Sequence, residues 1–272
     1  MADSREARFQ QDIIDAMVAG GWKAGTSSGY DRTTALYTED LLGYLREAWP
    51  ERWEKFCKAN PQAPESVLVQ KVVRELERAG TLEVLRHGFK VPGVKFDLCS
   101  FQPDHGMNPD SLARYRANRL RVVPEVSYSP HAREKGKGGD SAGQNYNPRL
   151  DLVLFVNGIP TATLELKSQF KQTVENAKRQ YRQDRPIKDP FTRKPEPLLT
   201  FKRGALVHFA VSQAEVAMTT RLAGSSTYFL PFNRGTQEGG AGNPPAPDEQ
   251  SYATAYLWEE VFAPDAWLKV LG

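Results

Sequence analysis

Residues 149–170 read RLDLVLFVNGIPTATLELKSQF, and this stretch decides the fold. Two apolar runs flank Asn157-Gly158, a dipeptide that readily takes positive φ at both central positions of a tight hairpin turn. Leu152 to Val156 are apolar on both faces, as are Ala162, Leu164 and Leu166. A hairpin of this kind belongs in the middle of a covered sheet. Charges there are costly unless paired or bound to metal, yet Asp151 stands on the first arm and Glu165 and Lys167 end the second.

Residues two apart in a strand share a face, so Glu165 and Lys167 point the same way. Opposed residues on antiparallel neighbours also share a face. Asp151 opposes Glu165 if the loop holds three residues, Asn157, Gly158 and Ile159, or if the ladder contains a bulge. A strict two-residue turn opposes Asp151 to Leu164 and sends the two acids to opposite faces. The expectation is therefore a three-residue loop or a bulge, with two carboxylates and one ammonium at the open end. Adjacent carboxylates raise one another's proton affinity until a cation arrives. A hard divalent ion suits oxygen ligands, and Mg²⁺ is the usual choice with phosphates. Held by Asp151 and Glu165, it lowers the pKa of water and neutralises phosphoryl oxygens, while Lys167 orients the water or stabilises developing charge. A structural ion pair at a sheet edge is the competing reading, and the local pattern leaves both open.

Working outward, Phe9, Ile13, Ile14, Met17 and Val18 mark a helix from Ser4 to the Gly20-Gly21 stop. Thr38 precedes a second helix, EDLLGYLREAW, and Ser66 to Ala79 form a third, ended by Gly80. From about residue 81 the period moves towards two, and TLEVLRHGFKVPGVKFDLCSF reads as a strand pair around Pro92-Gly93. A short helix bearing RYRANR, the strand LRVVPEVSY and a Gly-rich polar loop over 129–148 follow. After the hairpin come a basic helix, TVENAKRQYRQDR with Thr173 as its cap, and two strands, ALVHFAVS and EVAMTTRL. A Gly/Pro-rich loop over 233–250 leads to an amphipathic helix, YATAYLWEEVF. This order predicts an α/β (α+β) fold with a mixed central β-sheet flanked by helices. It divides into an N-terminal helical layer (1–80), a core (81–232) and a closing loop and helix (233–272).

No run of about 18 apolar residues exists, so no membrane span is expected. The start, MADSREARFQQDIIDAM, has acids and Gln where a signal peptide needs a basic, then apolar, segment, so a cytoplasmic protein is expected. Cys57 and Cys99 stand far apart, and His87, His105, His131 and His208 are scattered, so neither a disulfide framework nor a zinc site is expected. No GxxxxGK[ST] pattern occurs, so these residues should not hydrolyse ATP by themselves. The net charge of +3 says little, but Lys167 to Arg203 hold eleven Lys/Arg against four acids, and RYRANRLR adds Arg114, Arg116, Arg119 and Arg121. Clustered positive charge is the footprint of a phosphate backbone or of a solvated helix face, and charge alone does not choose.

Asp151 followed across a hairpin by Glu165-x-Lys167 resembles the PD-(D/E)xK nuclease core. Longer strings, among them YDRTTALYTEDLLGYL, GTLEVLRHGFK, RYRANRLRVV, QTVENAKRQYRQDR, EVAMTTRLAGSSTYFLPFN and YLWEEVF, resemble in order the N-terminal nuclease region of the restriction (motor) subunit of type I restriction-modification enzymes. The resemblance implies a restriction-endonuclease-like core and Mg²⁺-dependent cleavage of double-stranded DNA, with Mn²⁺ as a substitute. Asp151, Glu165 and Lys167 are then catalytic, and Asp151, Glu165 and the Leu166 backbone carbonyl hold the metal. It further implies methyltransferase and specificity subunits as partners, and ATP used only by two motor domains that follow this region in the family. Expected DNA contacts are Lys178, Arg179, Gln180, Arg182, Arg116 and Arg119. Family members often carry Gln-x-x-x-Tyr after the core; Gln180 fits, but Asp184 stands four later and Tyr181 is adjacent. They also carry an acid on the first helix near the metal, a region where Glu6 and Gln10 are the accessory candidates. Two rivals remain: a module that docks the motor and holds DNA with little chemistry, and a stand-alone PD-(D/E)xK repair nuclease.

Overall fold

The computed structural model describes residues 4–103, 107–133, 145–168, 173–248 and 251–272; His105, Lys171 and residues 134–144 of the Gly-rich loop lie outside these. Helix α1 (Ser4–Ala19) leads through a short strand β1 (Lys23–Ala24) to helices α2 (Thr38–Ala48), α3 (Pro50–Ala59), α4 (Pro64–Ala79) and α5 (Thr81–His87). A ribbon of β2 (Phe89–Val91) and β3 (Val94–Phe96) and helix α6 (Pro109–Arg116) precede strands β4 (Leu120–Ser127), β5 (Arg149–Val156) and β6 (Ile159–Lys167). Helix α7 (Val174–Gln183), strands β7 (Val207–Ser212), β8 (Val216–Thr219) and β9 (Leu230–Pro231), and helix α8 (Pro264–Leu271) follow.

The central sheet runs β1-β4-β5-β6-β7-β8-β9. β1 is parallel to β4 and β6 to β7, while the other neighbours are antiparallel. It is the mixed sheet that the element order predicts, and every residue of β6, its middle strand, is buried. On one face, Phe9 and Ile13 of α1, Leu41 of α2 and Leu268 of α8 pack with Leu152 and Leu164. Val153, Phe155, Tyr181 and Ala210 form a second apolar cluster. No described helix is long and apolar enough to cross a membrane.

The hairpin combines a two-residue turn with a bulge. Asn157 and Gly158 have φ of 49° and 76°, the positive pair that such a turn requires. Leu154 faces Ala162, but Phe155 faces Pro160, so Thr161 is unopposed. Pro160 has no N–H for the ladder, and a bulge is where a central strand tolerates that. The extra residue is put to use: the Thr161 carbonyl accepts from Leu206 N at 3.0 Å, and its hydroxyl accepts from Trp267 Nε1 at 3.2 Å. Past the bulge Leu152 faces Leu164, and the next step of that register sets Asp151 across from Glu165.

Some elements differ from the sequence pattern. TLEVLRH is helix α5, and only FKV and VKF pair around Pro92-Gly93. Gly80 (φ 92°) and Gly88 (φ 64°) bracket α5, whose few apolar residues satisfy either period. Helix α3 (PERWEKFCKA), which no capping signal announced, begins on Pro50, a residue whose fixed φ suits a first helical position. YLWEEV closes as a single π-helical turn, Leu257–Val261, and the terminal helix is the Pro-led α8. Thr38 opens α2 without capping it, and Thr173 holds the cap position of α7 without a side-chain bond.

Candidate active site

Five elements converge on the open end of the hairpin. Glu6 and Gln10 from α1, Glu125 from β4, Asp151 from β5, and Gln180 and Arg185 from α7 and the turn after it line a cleft of about 460 Å³. Glu165 and Lys167 of β6 bind two of these residues, Arg185 and Glu6.

Each charge is held by the fold. Asp151 Oδ2 accepts from the Leu166 N–H at 2.7 Å. Burial nevertheless pushes its carboxyl up to about 6, with the Leu166 bond and Lys167 opposing. Glu165 is fully buried. Burial and the neighbouring Asp151 raise its proton affinity well above the carboxylate norm, and Arg185 opposes the shift. Arg185 grips it in bidentate fashion, Nε to Oε1 at 2.6 Å and Nη2 to Oε2 at 3.1 Å. Lys167 Nζ donates to Glu6 Oε1 at 3.0 Å. Gln10 Nε2 donates to the Asp151 carbonyl at 2.7 Å and to Glu125 Oε1 at 3.1 Å, and Arg149 pairs with Glu125 at 2.7 Å.

The family model described as Type I restriction enzyme R protein N terminus matches residues 4–227. The chain belongs to this family. No curated protein matches it. The matched span takes in every cleft residue of this R-subunit N-terminal region, from Glu6 to Arg185, and membership of a restriction-enzyme family supports an endonuclease role in general.

The expected DNA contacts are scattered in this R-subunit region. Gln180 lines the cleft. Lys178 pairs with Glu175 at 2.6 Å, Arg179 is exposed, and Arg182 Nε donates to the Thr227 carbonyl at 3.1 Å. Arg116 and Arg119 lie at the other end of the sheet. Leu120 pairs with Val156 beside the turn, five strand residues, about 17 Å, from Asp151. Arg119 is also engaged by Glu47 at 3.1 Å. Tyr181 is a buried packing residue: its hydroxyl bonds Thr163 Oγ1 at 2.8 Å, which bonds His208 Nδ1 at 2.8 Å. Burial lowers His208 to about 3, so it is neutral and structural.

Three charged site residues are not singled out by the sequence, Glu125, Arg149 and Arg185. Pro124 faces Leu152 and Val126 faces Leu150, which places Glu125 level with Asp151. The only signal for Arg185 was its membership of the basic run.

Among the described residues, no three His, Cys, Asp or Glu side chains form a metal-holding group. The available donors are instead mixed oxygens: the Asp151 and Glu165 carboxylates, the Leu166 carbonyl and the Gln180 amide. Gln180 Oε1 is buried without a partner among the described residues, and each carboxylate oxygen keeps a lone pair beyond one hydrogen bond. An all-oxygen set with an unsatisfied acceptor fits a hard divalent cation.

Proposed function

We propose that this chain is the endonuclease domain of a type I restriction enzyme R subunit, hydrolysing phosphodiester bonds of double-stranded DNA with Mg²⁺. The observation that carries the reading is the bulged register, whose next step beyond Leu152 and Leu164 brings Asp151 across from Glu165, with Lys167 two residues further along β6 and so on the Glu165 face. Asp151, Glu165 and the Leu166 carbonyl would hold the cation, with Gln180 Oε1 as a further oxygen. When bound, Mg²⁺ supplies positive charge at the phosphoryl oxygens and acidifies a nearby water.

The chain's own residues do the rest. Glu6 holds the Lys167 ammonium at 3.0 Å, fixing a positive charge beside the carboxylates, where it orients the attacking water or stabilises the negative charge that grows at phosphorus. Gln10, bonded to the Asp151 backbone, fixes α1 against β5. The Tyr181–Thr163–His208 chain of bonds fixes α7 against the sheet, and with it Gln180. Exposed Arg179 and its neighbours on α7 supply phosphate contacts. Target choice and ATP-driven translocation would belong to the specificity, methyltransferase and motor parts of the complex.

The test is nicking of supercoiled plasmid with Mg²⁺ or Mn²⁺ by wild type and Lys167→Ala. Lys167→Ala should lose on the order of 100-fold or more in cleavage rate, with DNA affinity within about three-fold by fluorescence anisotropy. Equal cleavage by both proteins would remove Lys167 from the mechanism. DNA binding without metal-dependent nicking by the wild type would favour a docking module.

A further inference from the structure

Glu165 is fully buried, and one guanidinium holds both of its oxygens. A buried carboxylate beside a second one is costly unless a positive charge touches it. Lys167 does not provide that contact, since its ammonium is turned to Glu6. Arg185 does, from the cleft wall, with its side chain 12% exposed. It is held there from the backbone: the Arg185 N–H donates to the Gln180 carbonyl at 3.0 Å, just beyond the end of α7. A third guanidinium N–H donates to the Asp184 carbonyl at 3.3 Å, leaving two of the five donors without a partner among the described residues.

We propose that Arg185 is the resident counter-ion of Glu165: it neutralises the carboxylate at the cleft and occupies the oxygens that an incoming divalent cation must share. This rests on the nuclease reading above. The sign of its effect separates it from a merely structural arginine. Removing a positive charge that touches Glu165 makes the site more attractive to a cation. Removing a structural prop leaves cation affinity unchanged or weaker.

The experiment is Mn²⁺ titration of the 272-residue chain, followed by electron paramagnetic resonance and calorimetry at about pH 8, where ordinary carboxylates are ionised. The proteins are wild type, Arg185→Gln, Arg185→Lys and Asp151→Asn, each checked for folding by circular dichroism. Arg185→Gln should bind Mn²⁺ roughly three-fold or more tighter than wild type. Arg185→Lys, which keeps the charge but cannot bridge both oxygens, should fall between the two, and Asp151→Asn should lose the site. Binding by Arg185→Gln where wild type shows none would support the same conclusion. Equal or weaker binding by Arg185→Gln, with the Asp151-dependent site present in wild type, overturns the counter-ion role and leaves the nuclease reading standing. No Asp151-dependent binding by wild type or either Arg185 variant overturns both. If Arg185→Gln does not fold, Arg185→Lys decides by the same comparison with wild type.

Discussion

The two ends of the β5–β6 hairpin obey different rules. At the turn, Asn157 is saturated: its N–H donates to the Arg119 carbonyl, Oδ1 accepts from Arg119 N, and Nδ2 donates to Leu98 O and Asn118 Oδ1. Gly158 lies so close to α2 that an added Cβ would meet the Tyr37 carbonyl oxygen at 2.3 Å. At the open end, two carboxylates have raised proton affinity and Gln180 Oε1 has no partner among the described residues. The hairpin thus carries a fully bonded asparagine at its turn and, at its open end, carboxylates beside an α7 amide oxygen that keep accepting capacity.

Three substitutions bear on this contrast. The largest stability effect belongs to the turn. Gly158→Ala adds a Cβ against backbone at φ 76° and should cost about 3 kcal/mol in urea unfolding. A loss below about 1 kcal/mol would mean that the turn adapts, and the contrast would weaken. Next is the link behind the site. Tyr181→Phe removes one buried bond, to Thr163, while Thr163 keeps His208, and should cost about 1 kcal/mol; a neutral result would show that packing alone holds α7.

A third effect has the opposite sign. Asp151 is raised from 3.8 to about 6, so folding favours its protonated form. The stability penalty for ionising it is absent below the unfolded value and complete above the folded one. Asp151→Asn should therefore raise Tm by roughly 2–4 °C at neutral pH, and the gain should fade as pH falls from about 6 to 4. Cleavage by wild type should decline over the same window as the carboxylate is lost. A lower Tm for Asp151→Asn at neutral pH would place Asp151 with the saturated end.

The legible parts were those governed by local chemistry. Apolar runs around Asn157-Gly158 announced a central hairpin, and strand alternation put Glu165 and Lys167 on one face. The helical period of Phe9, Ile13, Ile14 and Met17 announced α1, whose four residues are all buried. TLEVLRH fits a strand pattern as well as a helical one because a seven-residue element is too short for its period to be unique.

The chain's own pattern determined that Asp151, Glu165 and Lys167 belong to one hairpin and that their meeting needed an odd extra residue, because side chains alternate along a strand whatever surrounds it. Only the tertiary structure decided where that residue sits: Thr161, held in its bulge by Leu206 and Trp267 from distant parts of the chain. It alone also brought Glu125 level with Asp151, set Glu6 on Lys167 and closed Arg185 on Glu165. Such pairings depend on register between separate strands and on how a helix packs over a sheet, and no local periodicity encodes those distances.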